Sequence, residues 1–256
     1  MKFISKFNLK NKLVFVLGGD GLIGRKTTEL LVKHGSKVVS IDKIHRGKKK
    51  KLNNTKLEII DVSKIIKLES NIDKLIRKYK VPDVFINCSY PRTSDWQNNS
   101  FNDIKLNSYK KNIDIHLNSY VWSAKIIADK MKIKKRGSII LLSSIYGVVA
   151  QDSSIYKNTN MQESMTYSVI KGGINTLTKQ LSSYYGKYNI RVNCICAGGV
   201  YNKQNKKFVN RYIKKTSLGR MASADDIAYS SIFLASDASS YITGSSFMVD
   251  GGWTST

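Results

Sequence analysis

Short apolar runs alternate with longer helical patterns along the whole of this chain. The runs are Leu13-Val14-Phe15-Val16-Leu17, Lys37-Val38-Val39-Ser40-Ile41, Leu57-Glu58-Ile59-Ile60, Asp83-Val84-Phe85-Ile86, Ser138-Ile139-Ile140-Leu141-Leu142, Ile190-Arg191-Val192-Asn193-Cys194-Ile195 and Phe247-Met248-Val249. Rich in Val and Ile, they read as strands buried on both faces, the pattern of a parallel sheet. Helical patterns occupy residues 22–34, 63–80, 109–135, 164–187 and 224–236. This order implies right-handed crossovers and an α/β fold: a doubly wound parallel sheet of about seven strands with helices on both faces. No repeat, linker or low-complexity block interrupts it, so residues 1–256 are expected to form a single domain.

A chain of 256 residues buries roughly three-quarters of the surface it would expose unfolded, so no disulfide or metal staple is needed. Cys88, Cys194 and Cys196 lie in apolar segments. An odd, sparse set of this kind reads as reduced core thiols in a cytoplasmic protein, and no metal site is expected beside them. No apolar run approaches the ~20 residues that span a bilayer, and residues 1–6 lack the apolar stretch and cleavage site of a signal peptide. The net charge of +25 draws anions. The lysines are spread along the chain, apart from one dense run at residues 47–51, and no helix-turn-helix, zinc-finger or RNA-binding signature accompanies them. A nucleic-acid footprint is clustered and set among aromatics. The expectation is therefore no specific nucleic acid and no membrane, with either a plain solvated surface or an acidic substrate or partner.

The first run ends in Gly18-Gly19-Asp20-Gly21-Leu22-Ile23-Gly24, and a helical pattern follows. Gly19-x-Gly21-x-x-Gly24 between strand and helix is the dinucleotide fingerprint of a Rossmann-type sheet. The glycines permit a tight turn and let backbone N–H groups approach a pyrophosphate, and Gly24 lets the helix pack close to the strand. The helix N-terminus adds its positive end. Asp42 ends the second run, 21 residues beyond Gly21. A carboxylate there accepts hydrogen bonds from a ribose 2′-OH and repels a 2′-phosphate, which favours NAD over NADP. Asp42 also reads as an ordinary strand-end cap, and Lys43 and Arg46 stand where either meets a 2′-phosphate. Asp61-Val62-Ser63, after the third run, reads as an adenine contact or as a helix N-cap.

Tyr167-Ser168-Val169-Ile170-Lys171 opens the helical pattern at 164–187, after a strand that ends in Ser143-Ser144. Residues four apart share a helix face. An ammonium beside a phenol favours the phenolate, so the pKa of Tyr167 is expected to fall from ~10 and make it a general acid or base.

With the glycine loop, the serine pair and Tyr167-x-x-x-Lys171 in this order, the chain resembles the short-chain dehydrogenase/reductase family over essentially its full length. The resemblance rests also on Ile190-Arg191-Val192-Asn193 leading into Gly198-Gly199, and on Phe233-Leu234-Ala235-Ser236-Asp237, Tyr241-Ile242-Thr243-Gly244 and Val249-Asp250-Gly251-Gly252. It implies that Gly18, Gly21, Leu22, Ile23, Gly24, Asp42, Asp61, Val62, Asn87, Gly198 and Val200 bind the cofactor. It implies Ser144 as the residue that orients substrate, Tyr167 as acid/base, and Lys171 as the group that lowers the tyrosine pKa and holds the nicotinamide ribose. His116 stands where the family carries a catalytic asparagine. It reads either as holder of a proton-relay water that links Lys171 to solvent or as a satisfied core histidine. Leu17, Ile86, Ser89 and Ala197 also depart from the family pattern. The spacing of 23 residues between Ser144 and Tyr167 is longer than the family's usual one, and the insertion at 152–163 is expected over the substrate side. The substrate loops fall at about 90–100, 150–165 and 198–215.

Asn87-Cys88-Ser89-Tyr90-Pro91-Arg92, His116-Leu117, Ser144-Ile145-Tyr146-Gly147 and Gly251-Gly252-Trp253 are similar to oxidoreductases of bacterial flagellin glycosylation and sialic-acid-like sugar pathways. The implied reaction is hydride transfer between NAD, ahead of NADP, and a secondary alcohol or ketone. Arg92 reads as a fork for a carboxylate or phosphate, or as a solvated loop residue. Tyr90, Tyr146 and Trp96 offer flat faces to a sugar ring or base. The expected substrate is an anionic or nucleotide-activated sugar in glycan biosynthesis. Family members pair the helices at 109–135 and 164–187 across a two-fold axis, which implies a homodimer or homotetramer. The departures leave one alternative, a catalytically weak nucleotide-binding or scaffold protein of the same fold.

Overall fold

The computed structural model describes residues 6–45 and 53–255, so Arg46 and the lysine run at 47–51 lie outside the described residues. The elements in chain order are β1 (Leu13–Leu17), α1 (Leu22–Lys33), β2 (Lys37–Asp42), β3 (Thr55–Ile59), α2 (Leu68–Tyr79), β4 (Val84–Asn87), α3 (Leu106–Asn112), α4 (Asn118–Lys134), β5 (Gly137–Ser144), α5 (Met165–Tyr185), β6 (Ile190–Ala197), α6 (Lys206–Ile213), α7 (Ala224–Ala235) and β7 (Ser246–Val249). The strands make one seven-stranded parallel sheet in the order β3-β2-β1-β4-β5-β6-β7. This is the doubly wound α/β class expected.

Successive side chains of a strand point to opposite faces, and both faces here are apolar. Phe15, Leu17, Ile139, Leu141, Val192 and Cys194 join one core with residues of α2, α4 and α5. Val14, Val16, Ile140 and Ile195 join the other with residues of α1 and α7. That is why the runs are continuous in the sequence. The edge strand β3 departs from the expectation of burial on both faces, because Leu57 and Ile59 stay exposed. A third, smaller core of Ile145, Ile155, Phe208, Tyr212, Met221 and Trp253 lies among the segments that follow β5 and β6 and the C-terminal turn.

The pattern at 109–135 is helical throughout, from Leu106 to Lys134, with a five-residue π bulge, Ile113–Leu117, between α3 and α4. One expectation is corrected: the segment 198–215 is not a plain loop. It carries α6, whose Phe208 and Tyr212, four apart on one face, are buried. The sheet order reverses between β1 and β4. Loops leaving those two strands diverge, and the crevice between them is where such sheets hold ligands.

Candidate active site

A cavity of about 830 Å³ occupies that crevice. On one side it is built mainly from backbone. Gly18 sits at φ +72°, and a Cβ on it would lie 2.6 Å from the Ser89 amide nitrogen. Its carbonyl accepts a hydrogen bond from the Gly21 N–H at 3.1 Å. A Cβ on Gly24 would lie 2.1 Å from the same carbonyl oxygen, so Gly24 works from behind the cavity, by letting α1 approach the loop. The N-cap of α1 is Gly21, with no side-chain cap. The first-turn N–H groups of α1 are thus left for a ligand, and Gly21, Leu22 and Ile23 line the cavity there.

Asp42 also lines the cavity. Its Oδ2 accepts from the Asp20 N–H (3.0 Å) and its Oδ1 from the Lys43 N–H (2.8 Å). Each carboxylate oxygen keeps a lone pair for a further donor. Asp61 and Val62 also line the crevice, and Asp61 closes its own turn by accepting from the Ser63 N–H and Oγ. Asp61 is not the helix N-cap, since Lys67 holds that position for α2 with no side-chain cap. A bare helix N-terminus, close-approach glycines and a carboxylate at the end of β2 fit a dinucleotide.

Side chains build the other half. Ser144 ends β5, and its Oγ accepts from the Tyr146 N–H at 3.2 Å. Ser164 caps α5 by accepting from the Tyr167 N–H at 3.3 Å, which places Tyr167 in the first helical turn. One turn on, Lys171 is 3% exposed. Two turns on, Asn175 donates to the Gly147 carbonyl at 3.0 Å, while its Oδ1 lies 3.4 and 3.6 Å from the buried Cys194 and Cys196 thiols. Ser143 Oγ donates to the Lys171 carbonyl at 3.1 Å. The 143–147 turn is thereby clamped to α5, and Ser144, Tyr167 and Lys171 all face the cavity.

Lys171 Nζ donates to the Leu142 carbonyl at 2.9 Å and lies 5.4–5.9 Å from the ring centres of Tyr120, Tyr167 and Tyr90. Among the described residues no carboxylate pairs with it. Burial alone therefore pulls its pKa down to about 7. Burial also raises the pKa of Tyr167, against a smaller opposing effect of its hydrogen bond with Ser144. The expectation that the ammonium lowers the tyrosine is thus reversed. Desolvation disfavours both charged forms and is the largest cause acting on each. Tyr167 is a neutral O–H donor, and Lys171 exchanges its proton near neutral pH.

His116 lies in the π turn, fully buried, with no hydrogen-bond partner at either ring nitrogen among the described residues. Its ring meets Tyr90 edge-on at 5.1 Å and Tyr120 at 5.6 Å. Burial, then the Lys171 charge, holds its pKa well below the ordinary value, so it is neutral. It is a core histidine but not a satisfied one, and its neighbour Ile115 reaches the cavity where it does not. Asn87 does not reach the cavity either. Fully buried, its Oδ1 accepts from the Ser89 N–H and Oγ, and its Nδ2 donates to Ser123 Oγ. Its side chain holds the β4 loop to α4.

At the mouth, Tyr90, Trp96 and Tyr146 each meet the Tyr167 ring edge-on, at 6.1, 6.4 and 6.5 Å. The Arg92 guanidinium lies 5.5 Å from the Tyr90 ring centre, exposed and without an ion pair among the described residues. Gly198 and Val200 line the facing wall. The insertion lies between the other two loops and ties them together. Gln162 donates to the Gln97 carbonyl, Asp152 pairs with Lys215, Arg211 donates to the Lys157 carbonyl, and Tyr156 packs on Phe208 at 5.5 Å. Cys88, expected in the core, is half-buried and lines the cavity. Among the described residues no group of side chains could hold a metal. Sequence reading missed Asn175, for which only its helical spacing from Tyr167 and Lys171 is a signal. It also missed Tyr120, whose hydroxyl donates to the Asn87 and Ser89 carbonyls.

The family described as Enoyl-(Acyl carrier protein) reductase matches residues 20–254. Post-translational flagellin modification protein A of Campylobacter coli is 33% identical, over 96% of this chain and 99% of that one. A peroxisomal 2,4-dienoyl-CoA reductase of Saccharomyces cerevisiae is 30% identical, over 95% and 84% of the two chains. The crystal structure of a short-chain dehydrogenase from Leptospira borgpetersenii with bound NAD+ superposes with a TM-score of 0.88 at 31% identity, over 96% of this chain and 94% of that one. Glycine loop, Ser144, Tyr167 and Lys171 in one crevice, with relatives of this kind over nearly the whole chain, place it plainly: the chain belongs to the short-chain dehydrogenase/reductase family of NAD(P)-dependent oxidoreductases.

Proposed function

We propose that the protein transfers hydride between NAD(H) and a secondary alcohol or ketone on an anionic or nucleotide-activated sugar, in the assembly of a glycan. The observation that carries the reaction type is the convergence of Ser144, Tyr167 and Lys171 on the cavity that the glycine loop and Asp42 also line. The nicotinamide, when bound, supplies or accepts the hydride. Tyr167, neutral at rest, gives its proton to the substrate oxygen, and Ser144 donates a hydrogen bond to the same atom as charge develops there. Lys171 returns a proton to Tyr167 and holds the nicotinamide ribose. Gly18, Gly21, Leu22 and Ile23 hold the pyrophosphate. Asp42 holds the adenosine ribose and disfavours an added phosphate, which is why NAD is preferred to NADP.

Three features support the substrate class. Arg92 is a cation at the mouth without an ion pair among the described residues, three aromatic rings surround Tyr167, and the relative from Campylobacter coli is named for flagellin modification. A planar guanidinium forks onto a carboxylate or phosphate. Most apolar residues of α4 and α5 are buried within the protomer, but Trp122, Ile133 and Tyr184 remain exposed. A second copy covers them in a homodimer or homotetramer. The test is NADH turnover on matched ketosugars with and without the charged group, for wild type and Arg92→Ala. Preference for the charged sugar, lost in the variant, is expected. Equal use of the neutral sugar, with kcat and KM unchanged in Arg92→Ala, overturns the anion reading.

A further inference from the structure

Behind the facing wall of the cavity lies a second hollow, an open groove of about 530 Å³. Its floor is apolar: Val209 and Ile213 from α6, Met221 and Ala222 from the segment before α7, and the ring of Tyr201. Groove and catalytic cavity share one wall. Val200 pairs with Ala222 in a short parallel bridge, with the Tyr201 N–H donating to the Ala222 carbonyl (2.8 Å) and the Ala222 N–H to that of Gly199 (3.0 Å). Gly199 and Val200 face the catalytic cavity, whereas Tyr201 and Ala222 face the groove.

The rim has one sign of charge. Residues 164–224 contain no Asp or Glu, and 203–220 carry seven Lys and Arg. Three of these are engaged. Lys215 pairs with Asp152, Arg211 donates to the Lys157 carbonyl, and Arg220 forks onto Asp226. The carboxylates nearest the groove are thereby used, since Asp226 also caps α7 through Ser223 and Asp225 lies 3.5 Å from Lys26. Lys203, Lys206, Lys207 and Lys214 are exposed and have no ion pair among the described residues. Lys206 stands three residues before Val209 and seven before Ile213, on the helix face that lines the groove.

We infer that this groove docks an acidic amphipathic helix of a partner protein, with aliphatic side chains in the groove and carboxylates on the four free lysines. An apolar floor selects apolar side chains, which a nucleic acid does not offer. A second copy of this chain, at +25, meets the rim with like charge. Helix-in-groove recognition of this form takes its anchors at i, i+3, i+4 and i+7. The inference does not depend on the substrate reading, because no residue it uses contacts the reacting atoms.

The test uses the whole protein loaded with NADH and a fluorescein-labelled helical peptide of Glu and Leu, with leucines at those spacings. Fluorescence anisotropy is read at about physiological ionic strength, where loose charge attraction is screened. Two control peptides replace every Leu by Ser, or every Glu by Lys. The acidic amphipathic peptide is expected to bind at least about tenfold tighter than either control. Lys206→Glu, an exposed surface change, and Ile213→Ser are each expected to weaken it by about tenfold or more. Equal binding of the Leu-to-Ser peptide or of single-stranded DNA would reduce the surface to a general polycation and overturn the inference. So would binding untouched by Lys206→Glu. A change of oligomeric state in Ile213→Ser would assign the groove to a second copy and overturn it equally.

Discussion

The two halves of the cavity are made by different means. The half proposed to hold the cofactor uses main-chain groups and carboxylates from the first quarter of the chain, among them Gly18, Gly21, Leu22, Ile23, Asp42 and Asp61. Its one carboxylate at the end of β2 is held by two N–H groups. The substrate half uses side chains from segments far apart in sequence, Tyr90 to Trp96, Ser144 to Tyr146, Tyr167 to Asn175 and Trp253. It buries a lysine, a tyrosine and a histidine without a counter-charge among the described residues. A site made from backbone is stable as built. A site made from desolvated titratable groups stores unfavourable energy, which brings Lys171 to near neutral pH and holds Tyr167 and His116 uncharged.

Tyr167→Phe gives the sharpest separation of the halves. It keeps the ring and removes the proton, so kcat is expected to fall ~10²–10⁴-fold while the Kd for NADH by fluorescence titration stays put. An equal loss of NADH affinity would mean that the halves are not separable.

Next in size is stability. Lys171 has a folded pKa of about 7, below its unfolded ~10.4. Below pH 7 both states carry the proton, and the native state bears the full cost of the buried charge. Between pH 7 and about 10.4 the native state releases the proton first, so the stability of the wild type rises with pH across that window. Lys171→Met removes the charge. It should stabilise the ligand-free protein at pH 6–7 by an amount on the order of a few kcal/mol, lose activity, and flatten that pH dependence in denaturant titrations. A destabilised methionine variant would show that Lys171 has a partner in solution.

Asn175→Ala strips a buried bond from the 143–147 turn and is expected to cost roughly 1–3 kcal/mol. Because it loosens Ser144 relative to Tyr167, kcat should fall with NADH affinity unchanged. The smallest effect belongs to the cofactor half. Asp42→Ala should weaken NADH about five- to tenfold, the worth of one net hydrogen bond, and narrow the gap to NADPH at constant kcat. A parent enzyme that binds NADPH more tightly would reverse the assignment of Asp42.

The order of strands and helices, the parallel sheet and the glycine loop were all legible in the residues, because each depends on local periodicity or on a turn that few residue types can make. The pairing of Tyr167 with Lys171 was legible for the same reason, four residues on one helix face. The amino-acid order by itself did not determine how those groups titrate. Burial depends on Tyr90, Trp96, Tyr120 and Tyr146 arriving from separate segments, and it reversed the expected direction for Tyr167. Tertiary structure alone put a π bulge into the helix at 109–135 and left the His116 ring nitrogens without a hydrogen-bond partner among the described residues. It turned the Asn87 side chain inward and made a helix of 206–213. It also joined the three substrate loops through the insertion. Desolvation and cross-segment contact are properties of the packed chain, and no local spacing encodes them.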